Sequence, residues 1–322
     1  MHAQINALES KLAVRGNVPF GTPSANIVAT AISMKKGNAS ANKDLASGGL
    51  DAFLKDGAVS LKEELELFAA YVLSKNALTT RWIPGPQKEL DKAVSKTIDD
   101  YDYAWTLNKD LVRGTVVFKT EQELAALQAL MLATCINTYG MFLLKKDQQK
   151  SVRDGGAMRS GYSGWNYVIQ FKDHPAFGVE MQANTFEMMY AKMKKKDYCE
   201  HLKVSDTEYR QLQGKYRVPG GLGHALYDIQ DIARSKVTPA EGDLARELAL
   251  DYYDACRGQF RSPNSANVEQ LNKRIQAFGS HLTSANAKDL WKHDVDACDW
   301  KGYPFLLTAH AENKPLVAKL SR

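Results

Sequence analysis

Cysteine is scarce in this chain of 322 residues: Cys135, Cys199, Cys256 and Cys298 are all it has. None stands at Cys-x-x-Cys spacing, which excludes a zinc knuckle and a disulfide-stapled scaffold and leaves four reduced structural thiols as the expectation. Long apolar runs are missing too. No stretch reaches the roughly 18 apolar residues that a membrane-spanning helix needs, so no membrane association is expected. The start, Met1-His2-Ala3-Gln4, lacks the basic opening and apolar core of a secretion leader. Charge of one sign is also lacking. Lys and Arg total 42 against 37 Asp and Glu, a net +5 that excludes a histone-like coat and suits a local anion site. With 44% apolar and 25% charged residues, collagen-like, coiled-coil and wholly disordered readings fall away.

What is present is organised unevenly. Residues 1–57 hold few large apolar groups and are rich in Ala, Ser, Gly and Asn, as in Asn38-Ala39-Ser40-Ala41-Asn42, so they read as a flexible lead-in. Ser60 and Glu63 form a capping-box pattern that predicts a helix start, with Leu61, Leu65, Phe68 and Val72 on one face. A Pro-broken stretch, Arg81 to Pro86, precedes a short helix expected from Gln87, which would carry Lys88, Lys92 and Lys96 at i, i+4, i+8. Strands are predicted at Leu111–Phe118, Met141–Leu144, Trp165–Phe171 and Phe177–Met181. Thr120 and Glu123 cap a helix between the first two, and Thr185 starts another. Lys145 to Gly161 reads as a basic polar loop. Thr238-Pro239-Ala240-Glu241 opens a helix that Arg257-Gly258 closes, and Val268, Leu271, Ile275 and Phe278 mark one stopped by Gly279. The fold class is therefore α+β, a mixed and largely antiparallel sheet flanked by helices. The expected domains are the lead-in, a domain over 58–258, and a helical C-terminal extension over 259–322.

Three segments hold residues that suit chemistry. Asp110 stands at the mouth of the buried strand containing Arg113, Gly114 and Thr115. Gly161-Tyr162-Ser163-Gly164-Trp165-Asn166 is a turn entering a strand, with an aromatic ring at its lip. In Val179-Glu180-Met181-Gln182 the alternation turns Glu180 and Gln182 away from the apolar face. Two carboxylates on neighbouring strands suit Mg²⁺, which takes oxygen ligands and shares them with substrate phosphates. Flanking Lys and Arg can neutralise those phosphates, and Tyr162 offers a face for a base. Taken singly, each residue reads as a turn or surface feature. The glycine-rich turn Pro219-Gly220-Gly221-Leu222-Gly223-His224 is a second anion-site candidate whose plain reading is a tight helix entry.

Order and spacing give the three segments their weight. They resemble the synthetase domain of the RelA/SpoT family, which makes the alarmones ppGpp and pppGpp. That family carries an Asp-φ-φ-φ-φ-Arg strand, a Gly-Tyr-x-Ser-φ-His turn and a Glu-φ-Gln-φ-Arg-Thr strand end. Asp110 matches the metal-binding Asp, Gly161 and Tyr162 the base-stacking turn, and Glu180, Gln182 and Thr185 the last motif. The stretch from Arg81 to Lys96 resembles the family's basic ATP-binding segment. The departures are Thr115 for the strand Arg, with Arg113 on the same face, Gly164 and Asn166 for the turn Ser and His, and Asn184 for the last Arg. Arg153 and Arg159 are the nearest basic residues to the family's lysine before Gly-Tyr.

The resemblance implies a nucleotidyltransferase-like fold and a Mg²⁺-dependent pyrophosphokinase. Such an enzyme moves the β,γ-pyrophosphate of ATP to the 3′-hydroxyl of a purine nucleotide. It implies Asp110 and Glu180 as metal and catalytic residues. Arg81, Lys88, Lys92, Arg113, Arg153, Arg159, Tyr162, Asn166 and Gln182 would bind substrate. With no hydrolase or regulatory region evident, a growth-arresting toxin is expected, acting in a cytoplasm, delivered without a classical leader, and paired with an immunity or antitoxin protein. Two alternatives stand beside it: transfer to the 3′ end of an RNA such as tRNA, gripped by the basic loop, and an inactive nucleotide-binding or protein-interaction module.

Overall fold

The computed structural model describes residues 49–75, 81–101, 105–120, 122–127, 129, 141–149, 161–171, 177–230, 237–257 and 265–296. Two compact units divide the chain: Met1–Gln148 with Trp165–Asn184, and Gln149–Gly164 with Thr185–Arg322.

The first unit opens with a helical turn, Gly49–Ala52, and a π turn, Phe53–Gly57, that run directly into α1 (Ala58–Lys75). Helix therefore begins ahead of Ser60, which lies inside it rather than capping it. Leu50, Phe53 and Leu54 are buried, so this helical stretch, expected as lead-in, sends three side chains into the core. Phe53 stacks on Phe177 at 4.4 Å between ring centroids, and this aromatic contact holds the turn in place. The predicted face of Leu61, Leu65, Phe68 and Val72 is wholly buried. A buried aliphatic or aromatic side chain contributes about 1.5–3 kcal/mol, which is why the 3.6-residue periodicity held here.

The sheet has five strands in the order β1-β2-β5-β4-β3. These are β1 (Arg81–Pro84), β2 (Arg113–Phe118), β3 (Met141–Gln149), β4 (Gly164–Phe171) and β5 (Val179–Thr185). The pairs β1–β2 and β4–β5 run antiparallel. The expected strand at Met141 continues to Gln149, so residues 145–149, expected in the basic loop, are strand. Val116, Tyr167, Ile169, Val179, Met181 and Ala183 turn to the core. Period-two alternation sends Arg113, Thr115, Glu180 and Gln182 to the opposite face. Gly114 is required: a Cβ there would strike the indole of Trp82, which lies against it from β1. Helix α2 (Leu90–Tyr101) starts two residues after Lys88, placing Lys88 in the loop before it and not on the helix expected from Gln87.

The second unit is helical: α3 (Phe186–Lys192), α4 (Lys195–Leu202), α5 (Asp206–Tyr216), α6 (Gly223–Gln230), α7 (Pro239–Cys256), α8 (Ser265–His281) and α9 (Ala285–Asp296). Its starts follow local rules. Thr185 Oγ1 accepts from Met188 N, and Thr238 and Glu241 form a complete capping box. Buried Val268, Leu271, Ile275, Phe278 and Trp291 make α8 and α9 part of this unit's core. The described part of the expected C-terminal extension is thus built in. Gly279 does not stop α8, which runs on to His281.

Candidate active site

The site in the first unit is assembled around Asp110. The 3₁₀ turn Trp105–Leu107 leads into it, with Asn108 N donating to Trp105 O at 3.0 Å and Asn108 Nδ2 to Thr97 Oγ1 of α2 at 3.3 Å. Asp110 is itself buried. Its Oδ2 accepts from Lys88 Nζ at 2.6 Å and from Lys96 Nζ at 2.8 Å. Its Oδ1 is also buried and, among the described residues, has no hydrogen-bond partner.

Glu180 enters from β5. Its backbone N–H donates to Val112 O at 3.0 Å, locking β5 against the segment that joins Asp110 to β2. Its Oε1 accepts from Gln182 Nε2 at 3.3 Å. In the β4–β5 register, Glu180 faces Val168 and Gln182 faces Asn166, so Asn166, Gln182 and Glu180 share one face. The Oδ1 of Asn166 is buried with no hydrogen-bond partner among the described residues. Arg113 lies on the corresponding face of β2, and its carbonyl accepts from Gly85 N at 2.9 Å. Arg81, paired with Val117, stands on the same face at the exposed end of β1.

Electrostatics tie these groups together. Burial alone would raise the Asp110 carboxyl, but the hydrogen bonds and charges of Lys88 and Lys96 outweigh it and hold the pKa below the usual carboxylate value. Burial pushes the Lys88 ammonium down despite Asp110, with the charges of Lys96 and Arg113 pushing the same way. Lys96 is also penalised by burial, but Asp110 and, more weakly, Glu180 leave it raised. One ammonium thus feels both carboxylates. Among the described residues no group of three or more His, Cys, Asp and Glu is set to hold a metal alone. An open, buried carboxylate oxygen beside a second carboxylate instead fits an ion that completes its shell with substrate phosphate, as Mg²⁺ does.

The expected site residues do not all meet here. Asp110, Glu180, Lys88, Arg113 and Gln182 come together. Lys92 instead pairs with Glu89 at 2.9 Å on the surface, both side chains more than 65% exposed. Lys96, absent from the expected set, is the second lysine on Asp110. Its i+8 spacing from Lys88 was visible in the sequence, but nothing local showed which lysine Asp110 would meet. Arg153 and Arg159 lie outside the described residues.

Tyr162 belongs to the second unit and is buried, against the expectation of a ring at an open lip. Tyr253 meets it edge-on at 5.9 Å, and the Lys192 ammonium stands 5.1 Å over it. The glycine-rich turn takes its plain reading. A Cβ on Gly220 or Gly223 would strike the hydroxyl of Tyr209 or Tyr253, so these glycines admit close packing before α6. Cys199 and Cys256 are free thiols, as expected. Burial raises both, so neither is an activated nucleophile.

No family model matches the chain. Over 200 residues, 62% of its length, it is 30% identical to the (p)ppApp synthetase toxin Tas1 of Pseudomonas aeruginosa (strain UCBPP-PA14), and it spans 41% of that protein. Among solved structures it is similar to the Type VI effector Tas1 in complex with its immunity protein, at 27% identity and a TM-score of 0.49, covering 65% of this chain and 97% of that one. It is also similar to small alarmone synthetase 1 from Bacillus subtilis bound to its product pppGpp, at 12% identity and a TM-score of 0.36, covering 69% of this chain and 93% of that one. The sequence likeness to a synthetase toxin bears out the resemblance to an alarmone synthetase domain that the three segments carry.

Proposed function

We propose that the chain is a nucleotide 3′-pyrophosphokinase acting as a growth-arresting toxin. The observation that carries this reading is the buried Asp110, one oxygen held by Lys88 and Lys96 and the other unsatisfied, with Glu180 and Arg113 acting on the same two lysines. A half-satisfied buried carboxylate among cations is costly to keep as a structural element, and a metal-bound polyphosphate would complete it. The 30% identity to a synthetase toxin supports the same reading.

Asp110 Oδ1 and Glu180 would hold Mg²⁺, which when bound draws charge from the ATP phosphates. Lys88, Lys96, Arg113 and Arg81 would neutralise the triphosphate, and Lys88, already pushed down by its surroundings, gains a second anion. Glu180 would take the proton of the acceptor 3′-hydroxyl. The new bond joins that oxygen to the β-phosphorus of ATP, the bond from the β-phosphorus to the α-phosphate oxygen breaks, and AMP leaves. Tyr162 would stack on the acceptor base, which requires that acceptor binding uncover a face of its buried ring. Asn166 and Gln182 would be polar edge contacts, and Arg153 and Arg159 phosphate contacts. Because its substrates are common to all cells, the producing cell would need a neutralising partner.

Stacking tolerates any base, and an Asn side chain both donates and accepts, so adenosine and guanosine acceptors are both expected. No observation favours RNA as the acceptor. Incubation of purified protein with equal ATP and GTP, resolved by chromatography and mass, tests the proposal. A 3′-pyrophosphorylated product from each, within roughly a hundredfold of one another, is expected. Absence of AMP release sinks the activity, and strict use of GTP or GDP sinks the acceptor reading alone.

A further inference from the structure

The turn that carries Tyr162 is held by a residue nearly a hundred positions away. Arg257 caps the C-terminal end of α7, its N–H donating to Tyr253 O at 3.0 Å. Its side chain is only 13% exposed. Nη1 donates to Gly161 O at 2.6 Å and to Ser163 Oγ at 3.1 Å. Nη2 pairs with the buried Asp254 one turn earlier in the helix. The guanidinium therefore grips the residue before Tyr162 and the residue after it, and leaves the ring between them.

A buried guanidinium is expensive unless paired and hydrogen-bonded, and Asp254 offsets its charge. A favourable helix-end position adds to this. Neither effect requires that Nη1 reach out to the turn, where both of its contacts are spent. The ring itself meets the edge of Tyr253 and the Lys192 ammonium above it. Arg257 thus binds on both sides of the ring, at the Gly161 carbonyl and at the Ser163 hydroxyl.

We infer that Arg257 is a positioning residue for the acceptor ring: it sets the pose of Tyr162 without itself touching substrate. The inference rests on the stacking role proposed for Tyr162. A displacement of about 1 Å at a binding group costs up to a hundredfold, so the effect falls on the acceptor and not on ATP.

The test is a steady-state cycle on the full chain with ATP and an adenosine or guanosine acceptor. Arg257→Ala is expected to raise the acceptor KM by roughly ten- to a hundredfold while the ATP KM stays within about twofold. In a Tyr162→Ala background the same change should add less than about twofold, because its effect runs through the ring. Ser163→Ala, which removes one contact and leaves the buried charge paired, should give a smaller rise of the same kind and keeps the test open if Arg257→Ala fails to fold. Arg257→Lys, with one donor group for two acceptors, should fall between. Hydrogen exchange at residues 161–163 should quicken in Arg257→Ala while β5 stays protected. Equal rises in both KM values, or losses that add to those of Tyr162→Ala, overturn the inference and leave Arg257 a structural pin. Wild-type protein that forms no 3′-pyrophosphorylated nucleotide overturns the proposed function and the inference with it, whereas an active enzyme indifferent to Arg257 overturns the inference only.

Discussion

Two buried carboxylates, one in each unit, are held in opposite ways. Glu241 of the helical unit has both oxygens filled. Its Oε2 accepts from Thr238 N at 2.7 Å and Thr238 Oγ1 at 2.9 Å, and its Oε1 from Thr283 Oγ1 at 3.0 Å and from Thr283 N. Burial alone would raise it, but these bonds bring its pKa to about 2. Asp110 of the sheet unit has two cations on one oxygen and nothing on the other. Full satisfaction by neutral donors marks a staple that ties the start of α7 to the loop after α8. Partial satisfaction by two ammonium groups marks a group still able to bind.

The largest expected effect sharpens the contrast at the sheet. Glu180→Gln is nearly isosteric at a half-exposed position, so transfer should fall on the order of 10²–10⁴-fold with the melting temperature unchanged. A wild-type rate would remove Glu180 from the chemistry. Asp110→Asn should abolish Mg²⁺-dependent turnover and shift or erase the Mg²⁺ titration of activity. It also leaves Lys88 and Lys96 without their shared anion, a stability loss of about 1–3 kcal/mol that is moderated because Lys96 is 26% exposed.

Glu241→Ala tests the other half. Stability should fall by about 1–3 kcal/mol in a denaturant titration, with activity per folded molecule retained. The pH signature has a definite sign. Because the folded pKa lies below the ordinary value, Glu241 contributes fully above pH 4.5 and loses that contribution as pH falls toward 2. Glu241→Ala should therefore flatten the acid limb of the stability curve. The smallest effect is expected at Lys92→Ala, within about twofold of wild type for an exposed pair, against a loss on the order of tenfold or more for Lys96→Ala. ATP KM values measured on the two variants check this, and equal losses would return Lys92 to the site.

What the sequence shows and what it hides divide along the range of the interactions. The faces of α1 and α8 and the caps at Thr185 and Thr238 depend on residues within one or two turns, and they were legible. The start of α1 was not, because Ser60 and Glu63 make a cap only if the chain before them is not already helical, and packing of Phe53 on Phe177 decides that. At the site, strand alternation correctly turned Glu180 and Gln182 away from the core. The choice between Lys92 and Lys96 depended on where Asp110 returns in space, 14 residues after Lys96. Burial of Tyr162 depended on α7, and no local pattern near residue 162 carries that information.

The indole of Trp82 fills the space above Gly114, and this has a consequence for how the protein can change. Neither residue has freedom to vary alone: a side chain on Gly114 meets the ring, and a small residue at 82 opens a cavity beside Val116. A change at either position therefore calls for a compensating change at the other. The strand that delivers Arg113 is thereby insulated from gradual substitution, and a designer wishing to move that arginine must redraw both strands at once.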